Sequence, residues 1–266
     1  MKAKKKVKAK KKAKEKKKVK AKKKGTGERD MNTSKILEIN GLKAWYNQDN
    51  KILKDFSLDL YENEVVGLIG LNGAGKTTFL KVLTGLLKGF EVSYKKYKGK
   101  DFDFRKNSFK KDRYIVFAED RAFQYFTFRE YLTYVSGAYK KKLEGVNELV
   151  AGFHFEKYEN TLLKDLSTGN QKKAFLIAGF ALRPEILLLD EPVNGLDFQS
   201  TEFLYKQIAD YKKYGTLLFS SHILESITLT SDRVLVLENG RISKSFLGDE
   251  IKAEVIREAL QYEDDV

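Results

Sequence analysis

The sequence predicts an α/β fold with a mainly parallel sheet core, an antiparallel β subdomain and an inserted helical subdomain. Three observations lead to this prediction. Apolar strand-like runs alternate with helical segments in the second half of the chain. Short runs with strand-like alternation open the globular part, and a long helical stretch separates the early strands from the later ones.

The first half of the chain predicts several strands and one βα unit. The β-like runs are ILEI near residue 36, LKAWY near residue 42 and the alternating ILKDFSLDL at 52–60. The run VVGLIG has the pattern of a buried strand and ends in a glycine-rich turn. From Gly75 to about Leu87 the apolar residues have helical spacing, so a strand, a loop and a helix follow one another.

The second half predicts the remaining strands and helices. Residues 90–117 have the pattern of exposed strands, in the runs FEVSYKKY and RYIVF, and residues 127–182 are expected to be mostly helical. The predicted order then continues with the strand ILLLD, a helix over about 198–214, the strand TLLFS, a short helix, the strand RVLVLE and a hairpin into RISKSF. Alternation at these lengths favours a parallel sheet with helices on both faces.

The positive charge is concentrated at the N-terminus. The whole chain has a net charge of +14, but residues 1–24 hold 16 Lys and one Glu, which leaves −1 for the remainder. No specific nucleic-acid partner is therefore expected for the folded part. The chain has no Cys, and His154 and His222 are its only histidines, which argues against disulfides and a zinc site. No apolar run is long enough to predict a membrane span.

Residues 1–30 are predicted to be a Lys-rich, disordered leader or tag. The segment repeats with a period of six, as in VKAKKK, and like charges at this density oppose folding. Met31 begins MNTSKILEI, which has the pattern of a start followed by a first strand, so residues 31–266 are expected to form the functional domain. The alternative is a polybasic arm that binds anionic lipid.

The strongest motif is GLNGAGKTT at residues 70–78, which has the GxxxxGK[ST] pattern of a phosphate loop. Its glycines let backbone N–H groups turn towards an anion, and Lys76 can reach the β- and γ-phosphates. Thr77 can supply a hydroxyl to Mg²⁺. The motif predicts a P-loop NTPase fold. The nucleotide-binding residues expected in it are Asn72, Gly73, Ala74, Gly75, Lys76, Thr77 and Thr78.

A second motif, ILLLDEP at 186–192, places two carboxylates at the end of an apolar strand. Asp190 is predicted to hold Mg²⁺ through water, and Glu191 to polarise the attacking water. Such a pair alone is often a solvated turn or a helix cap. In combination with Lys76 it favours nucleotide hydrolysis, and the absence of an NKxD-like guanine reader argues against a GTPase.

The run LSTGNQKK at 166–173 completes a set of motifs that resembles the ATP-binding cassette ATPases, whose signature is LSGGQ. The resemblance extends in order over nearly all of residues 34–247. It implies that Tyr46 stacks on adenine, with Trp45 as the competing choice. It also implies that NGLD at 194–197 follows the catalytic acid and that His222 is the switch histidine, whereas His154 is interpreted as structural.

Two positions depart from the family pattern. The signature is LSTGN, but it keeps Ser167 and Gly169, the groups that the family directs at the γ-phosphate. In VFAED, Glu119 occupies the position of the family's glutamine and is expected to coordinate metal or orient water. Gln124 lies nearby as a rival for that position.

The resemblance also implies cofactors and partners. ATP and Mg²⁺ are expected, with Lys76, Glu191 and His222 as catalytic residues, in a head-to-tail homodimer or heterodimer. Each nucleotide would lie between the phosphate loop of one subunit and the signature of the other. Residues 123–139 hold seven aromatics, where the transporter branch of the family receives a helix of its membrane subunit. A core role is the alternative for these aromatics.

The predicted function is therefore the ATP-hydrolysing subunit of a transporter, an exporter of peptide, antibiotic or lipid. Residues 119–139 are expected to bind an integral membrane subunit, within a helical subdomain at about 120–182, which places the ATPase in the cytoplasm at the inner face of the cell membrane. The alternative is a soluble cassette ATPase that serves the ribosome, DNA repair or cluster assembly. A single cassette without a heptad insertion disfavours the first two of these roles.

Overall fold

The computed structural model describes residues 34–119 and 122–261, so the predicted leader, residues 1–30, lies outside the described residues. Two sheets and a set of helices make up this part of the chain. The strands are β1 Lys35–Asn47, β2 Asn50–Tyr61, β3 Val65–Ile69, β4 Phe90–Glu91, β5 Tyr94–Tyr97, β6 Lys100–Asp101, β7 Arg113–Val116, β8 Ile186–Asp190, β9 Thr216–Ser221, β10 Arg233–Glu238 and β11 Arg241–Leu247. The α-helices are α1 Lys76–Leu83, α2 Asn107–Lys111, α3 Phe128–Tyr139, α4 Val146–Gly152, α5 Thr168–Leu182, α6 Phe198–Asp210, α7 Leu224–Thr230 and α8 Ala253–Gln261.

The larger sheet has the strand order β11-β10-β3-β9-β8-β7. All of its neighbouring strands pair in parallel except the β10–β11 hairpin. Its central strands are short apolar runs buried along their whole length, as expected where helices or a second sheet cover both faces. This architecture confirms the predicted α/β fold with a mainly parallel core.

Two hydrophobic layers lie on the two faces of this sheet. Successive side chains of a strand point to opposite faces, so neighbouring residues enter different layers. In β8, Leu187 and Leu189 pack with the helices, whereas Ile186 and Leu188 pack with the antiparallel sheet and α1. The polar residues at the ends of these strands therefore lie between two layers of buried apolar side chains.

The antiparallel sheet has the order β2-β1-β5-β6, with β4 also paired to β1. The runs ILEI and LKAWY, predicted separately, belong to the single strand β1. The strand is irregular between Ile39 and Leu42, where Gly41 has a left-handed φ of 66°. This bulge separates the two runs in the sequence pattern without ending the strand.

The predicted exposure of the run RYIVF is wrong. Arg113, Tyr114 and Val116 are buried, because β7 forms the edge of the larger sheet in parallel pairing with β8. Gly179 of α5 packs against the ring of Tyr114, at a distance where an added Cβ would lie 3.1 Å from ring carbons. Gly179 lies 65 positions after Tyr114, so the helix that covers β7 comes from a distant part of the chain.

Helices α3, α4 and α5 follow one another between β7 and β8. The first begins with a reciprocal cap, in which the Thr127 hydroxyl accepts from the Glu130 backbone and the Glu130 carboxylate accepts from the Thr127 backbone. Ser167 caps α5 by accepting from the Asn170 N–H. Within residues 34–119 and 122–261, no helix combines the length and the apolar character needed to cross a membrane.

Candidate active site

The phosphate loop connects the end of β3 to the start of α1. Gly75 adopts φ 110° directly before the helix, and an added Cβ would lie 2.8 Å from a methyl of Leu53, so the turn requires glycine. The Lys76 ammonium is buried and donates to the Gly70 carbonyl at 2.7 Å, which holds it across the loop. Of the other loop residues, Asn72 and Gly73 are exposed, Ala74 and Thr77 are half-buried, and Thr78 is buried.

Asp190 ends β8 at the same edge of the sheet. Its Oδ2 accepts from the Thr77 hydroxyl at 2.9 Å, and its Oδ1 accepts from the Ser220 hydroxyl of β9 at 2.6 Å. The carboxylate is 1% exposed. These two hydroxyls fix the orientation of Asp190 beside the phosphate loop. Ser220 was not predicted as a site residue, and its only sequence signal is its place at the end of an apolar strand.

Glu191 follows with a left-handed φ of 46°. This turn directs the Glu191 carboxylate between the Lys76 ammonium and the His222 ring. Its Oε1 lies 3.4 Å from the Lys76 ammonium, and its Oε2 lies 2.8 Å from Nδ1 of His222. Its backbone N–H donates to both the carbonyl and the hydroxyl of Ser220. The structure thus brings Lys76, Glu191 and His222 into direct contact.

The signature residues occupy a different position, at the start of α5. Ser167 is exposed and caps the helix. Gly169 packs against the backbone of Gly195, so closely that an added Cβ would lie 2.2 Å from the Gly195 carbonyl oxygen. The predicted signature therefore contacts the loop that follows Glu191 in its own chain.

Sequence reasoning missed a buried lysine at this contact. Lys172 is 4% exposed, and its ammonium donates to the carbonyls of Glu191 at 3.1 Å and Asn194 at 2.8 Å. Burial lowers the pKa of Lys172, while Asp190, Glu191 and Glu119 act in the opposite direction. The available sequence signal is a pair of lysines that opens an otherwise apolar helical run, AFLIAGFAL.

The neighbouring Lys173 was missed as well. Its ammonium donates to the Phe153 carbonyl at 3.0 Å and to the Asp197 carboxylate at 2.6 Å. Asp197 caps α6 by accepting from the backbone and hydroxyl of Ser200. Partial burial raises the pKa of Asp197. The hydrogen bonds from Lys173 and Ser200 outweigh this and hold the pKa of Asp197 well below its usual range.

The two candidate adenine-stacking residues differ in exposure. The Tyr46 side chain is 57% exposed, with the Lys81 ammonium 5.4 Å from its ring centre. Trp45 is half-buried and packs against Gly89, where an added Cβ would lie 2.9 Å from the indole. An accessible ring is what stacking requires, so the geometry favours Tyr46.

Glu119 is exposed and lines a cavity of about 170 Å³ between its loop and the start of α5. Thr168, Gln171 and Lys172 line the other side of the same cavity. Its rival Gln124 is half-buried, and its backbone carbonyl accepts from the Lys164 N–H. Glu119 is therefore the one of the two that shares a cavity with Lys172.

Comparison with known proteins shows what this arrangement of motifs belongs to. The model of the family described as ABC transporter matches residues 53–194. A putative ABC transporter ATP-binding protein, AlbC, from Bacillus subtilis (strain 168) is 35% identical over 216 residues, which cover 79% of this chain and 90% of that protein. The chain belongs to the ABC transporter family. This confirms the resemblance inferred from the motifs.

Other ABC transporter proteins give the same result. An uncharacterized ATP-binding protein from Methanocaldococcus jannaschii is 31% identical, covering 77% of this chain and 75% of that one. The solved structure of an ATP binding subunit of an ABC transporter superposes with a TM-score of 0.72 and 26% identity, covering 82% of this chain and 92% of that chain. The chain is an ABC transporter ATP-binding subunit, of a family that hydrolyses ATP with Mg²⁺. Such subunits generally dimerise and pair with membrane subunits.

The donor set beside the phosphate loop fits Mg²⁺. This ion prefers hard oxygen ligands, keeps several waters and is commonly held by one or two carboxylates together with substrate phosphates. The Thr77 hydroxyl and the Asp190 carboxylate supply such oxygens within 2.9 Å of each other. Among the described residues no group of three or more His, Cys, Asp or Glu side chains could hold a metal ion.

Proposed function

We propose that this subunit dimerises on ATP, hydrolyses it with Glu191 and drives a separate membrane subunit that exports peptide, antibiotic or lipid. The observation that carries the hydrolytic assignment is the Glu191 carboxylate, in contact with both Lys76 and His222 beside the Asp190–Thr77 pair. The assignment to exporters is supported by EPVNGLD at 191–197, which resembles the stand-alone ATPase subunits of bacterial exporters.

The roles of these residues follow from charge and geometry. Lys76 offsets phosphate charge from within the phosphate loop, and Thr77 and Asp190 are the groups that would hold Mg²⁺, which supplies further neutralisation of the phosphates when bound. Glu191 accepts a hydrogen bond from the attacking water and takes a proton from it as the new bond forms. The water oxygen then bonds to the γ-phosphorus as the bond to the bridging oxygen of ADP breaks. His222 donates to the transferring phosphate.

A second copy completes the site in this proposal. Ser167 is exposed at the N-terminus of α5, where a hydroxyl and free backbone N–H groups can meet an anion. Within its own chain Gly169 abuts Gly195 and so lies next to the loop after the catalytic acid. A head-to-tail pair would bring Ser167 and Gly169 of one copy to the nucleotide held by the phosphate loop of the other.

The membrane subunit is proposed to bind an aromatic patch, which consists of Phe123, Tyr125, Phe126 and Tyr134. Tyr125 is 76% and Tyr134 is 48% exposed, and the rings of Phe123 and Tyr134 lie 4.8 Å apart. Other aromatics of the same segment, Phe128 and Tyr131, are buried in the core. The segment thus divides into a core side and an accessible side, and the accessible side suits an apolar helix of a partner.

The hydrolytic role of Glu191 is tested with Glu191→Gln. This variant keeps the shape of the side chain but cannot accept the water's proton, so we expect it to bind ATP, lose nearly all turnover and accumulate as a dimer. Turnover is measured as phosphate release and dimerisation by size-exclusion chromatography. Glu202→Gln, on the exposed side of α6, is the matched control and should behave like the wild type. Normal turnover in Glu191→Gln would exclude the assigned role.

The coupling role of the aromatic patch is tested with the double variant Tyr125→Ala, Phe126→Ala in cells that express the native membrane subunit. We expect ATPase activity of the isolated subunit to persist and recovery in the membrane fraction to fall. Unchanged membrane assembly would refute the patch as the docking surface. Purification without any polytopic membrane partner would favour the soluble alternative.

A further inference from the structure

The loop that carries Glu191 is held by the first turns of α5. Lys172 contributes two of the contacts, through hydrogen bonds from its ammonium to the carbonyls of Glu191 and Asn194 at 3.1 and 2.8 Å. Gly169 contributes a third through its close approach to Gly195, and Lys173 a fourth through its ion pair with Asp197. The loop 191–197 is thus attached to α5 near both ends and in the middle.

The Lys172 bonds act on the backbone whose conformation aims the Glu191 side chain. A left-handed φ is unfavourable for a residue with a Cβ, so surrounding contacts must maintain the φ of 46°. On one side the Glu191 N–H donates to Ser220. On the other side the Glu191 carbonyl accepts from Lys172 and from the Asn194 N–H. Lys172 is therefore the side chain that fixes the carbonyl end of this residue.

A lysine suits this position for two reasons. Its ammonium has several donors and reaches both carbonyls on a flexible stem. Its charge also lies near the carboxylates of Asp190, Glu191 and Glu119, which favour a cation there. An apolar side chain of the same length would fill the 4%-exposed space but leave the carbonyls without this donor.

We propose that Lys172 is a positioning residue for ATP hydrolysis, which holds the left-handed turn at Glu191 and ties the catalytic carboxylate to the signature helix α5. The proposal rests on the proposed role of Glu191. Lys172 itself does not touch the nucleotide in this scheme. Its loss should therefore misplace Glu191 while Lys76 and the phosphate loop continue to bind ATP.

The test compares Lys172→Met with Lys172→Arg in the full chain. Loss of the donors should lower kcat by about 10- to 100-fold, because sub-ångström to ångström misplacement of a catalytic group has effects of this size. The KM for ATP and the affinity for a fluorescent ATP analogue with Mg²⁺ should stay within about twofold of the wild type. Lys172→Arg, which keeps donors, should recover part of the kcat.

The matched control is Arg113→Met. Arg113 is also a buried cation that donates to two backbone carbonyls, those of Thr84 and Phe104. Arg113 begins β7 and is in register with Ile186, the first residue of β8. Because β8 ends in Asp190, Arg113 lies at the end of the strands that is opposite to the candidate active site. Arg113→Met should lower the thermal midpoint without a selective loss of kcat.

The outcomes separate the two proposals. Turnover by Glu191→Gln would remove the basis of both. Inactive Glu191→Gln with wild-type kcat in Lys172→Met would overturn only the role of Lys172. Equal losses of kcat and of thermal stability in Lys172→Met and Arg113→Met would also overturn it, because they indicate a structural effect. If Lys172→Met does not fold, Lys172→Gln is measured by the same criteria.

Discussion

Gly169→Ala should slow ATP hydrolysis, because its added methyl group would clash with the loop that follows Glu191. An alanine Cβ would lie 2.2 Å from the Gly195 carbonyl oxygen, and ordinary contact begins at 3.4 Å. The start of α5 and the loop after Glu191 must therefore separate by 1.2 Å, the difference of these distances. A displacement of about 1 Å at a catalytic group can cost about 100-fold in rate, which corresponds to about 2.7 kcal/mol in the barrier.

The assay is steady-state phosphate release at saturating ATP and Mg²⁺, together with thermal unfolding of the protein without nucleotide. Overpacking by one methyl group costs about 1–3 kcal/mol, which is smaller than the stability of an ordinary domain, so the fold should persist. Gly137→Ala is the matched control. Gly137 is also helical, and an added Cβ there meets no atom within 4 Å, so this variant should keep its kcat.

Two results would refute this reasoning. A Gly169→Ala kcat within about threefold of the wild type would show that the loop absorbs the clash without moving Glu191. An unchanged thermal midpoint in the nucleotide-free protein would show that the clash between Gly169→Ala and Gly195 of the same chain does not cause the loss of activity, because that contact exists before any dimer forms. A loss of activity would then come from the contact with the second copy.

Three further predictions concern other parts of the molecule. Tyr46→Ala should raise the KM for ATP roughly 5- to 150-fold, as expected from base stacking of about 1–3 kcal/mol, and a larger rise in Trp45→Ala would reverse the assignment. Because the pKa of Asp197 is depressed by Lys173, the pair stabilises the fold fully above the ordinary aspartate value of about 4, and this contribution is lost as the pH falls towards the depressed value. Thermal midpoints of Asp197→Asn and wild type should therefore differ at pH 7 and converge in acid; a constant difference would contradict this. Phe79→Ala removes a fully buried ring and should cost about 3–5 kcal/mol in urea unfolding, whereas a loss below about 1 kcal/mol would show that the site collapses around the cavity.

The motifs of the site were predictable because their signals are local. The phosphate loop needs glycines at fixed offsets from Lys76, and the acidic motif needs an apolar strand directly before Asp190. Neither depends on which strand pairs with which. The parallel order of the strands then places the ends of β3, β8 and β9 at one edge, where the Glu191 carboxylate contacts both Lys76 and His222.

What the sequence did not reveal depends on long-range packing. The run RYIVF has the composition of an exposed strand, but Gly179 provides the space in which Tyr114 becomes buried. Lysines at the start of a helix are usually solvated, so the sequence alone does not place the Lys172 ammonium against Glu191. Its contacts with Glu191 are formed by chain segments that meet only in the tertiary structure.

The alternation of side chains along β8 has an evolutionary consequence. Leu187 and Leu188 are adjacent in sequence but lie in separate hydrophobic layers, whereas Leu187 and Leu189 share one. Substitutions in contact with one another couple energetically, and those without shared partners are close to additive. The layer against the antiparallel sheet can therefore diverge between relatives while the layer against the helices is conserved. A change of side-chain volume in one layer can then be compensated within that layer, without repacking of the other.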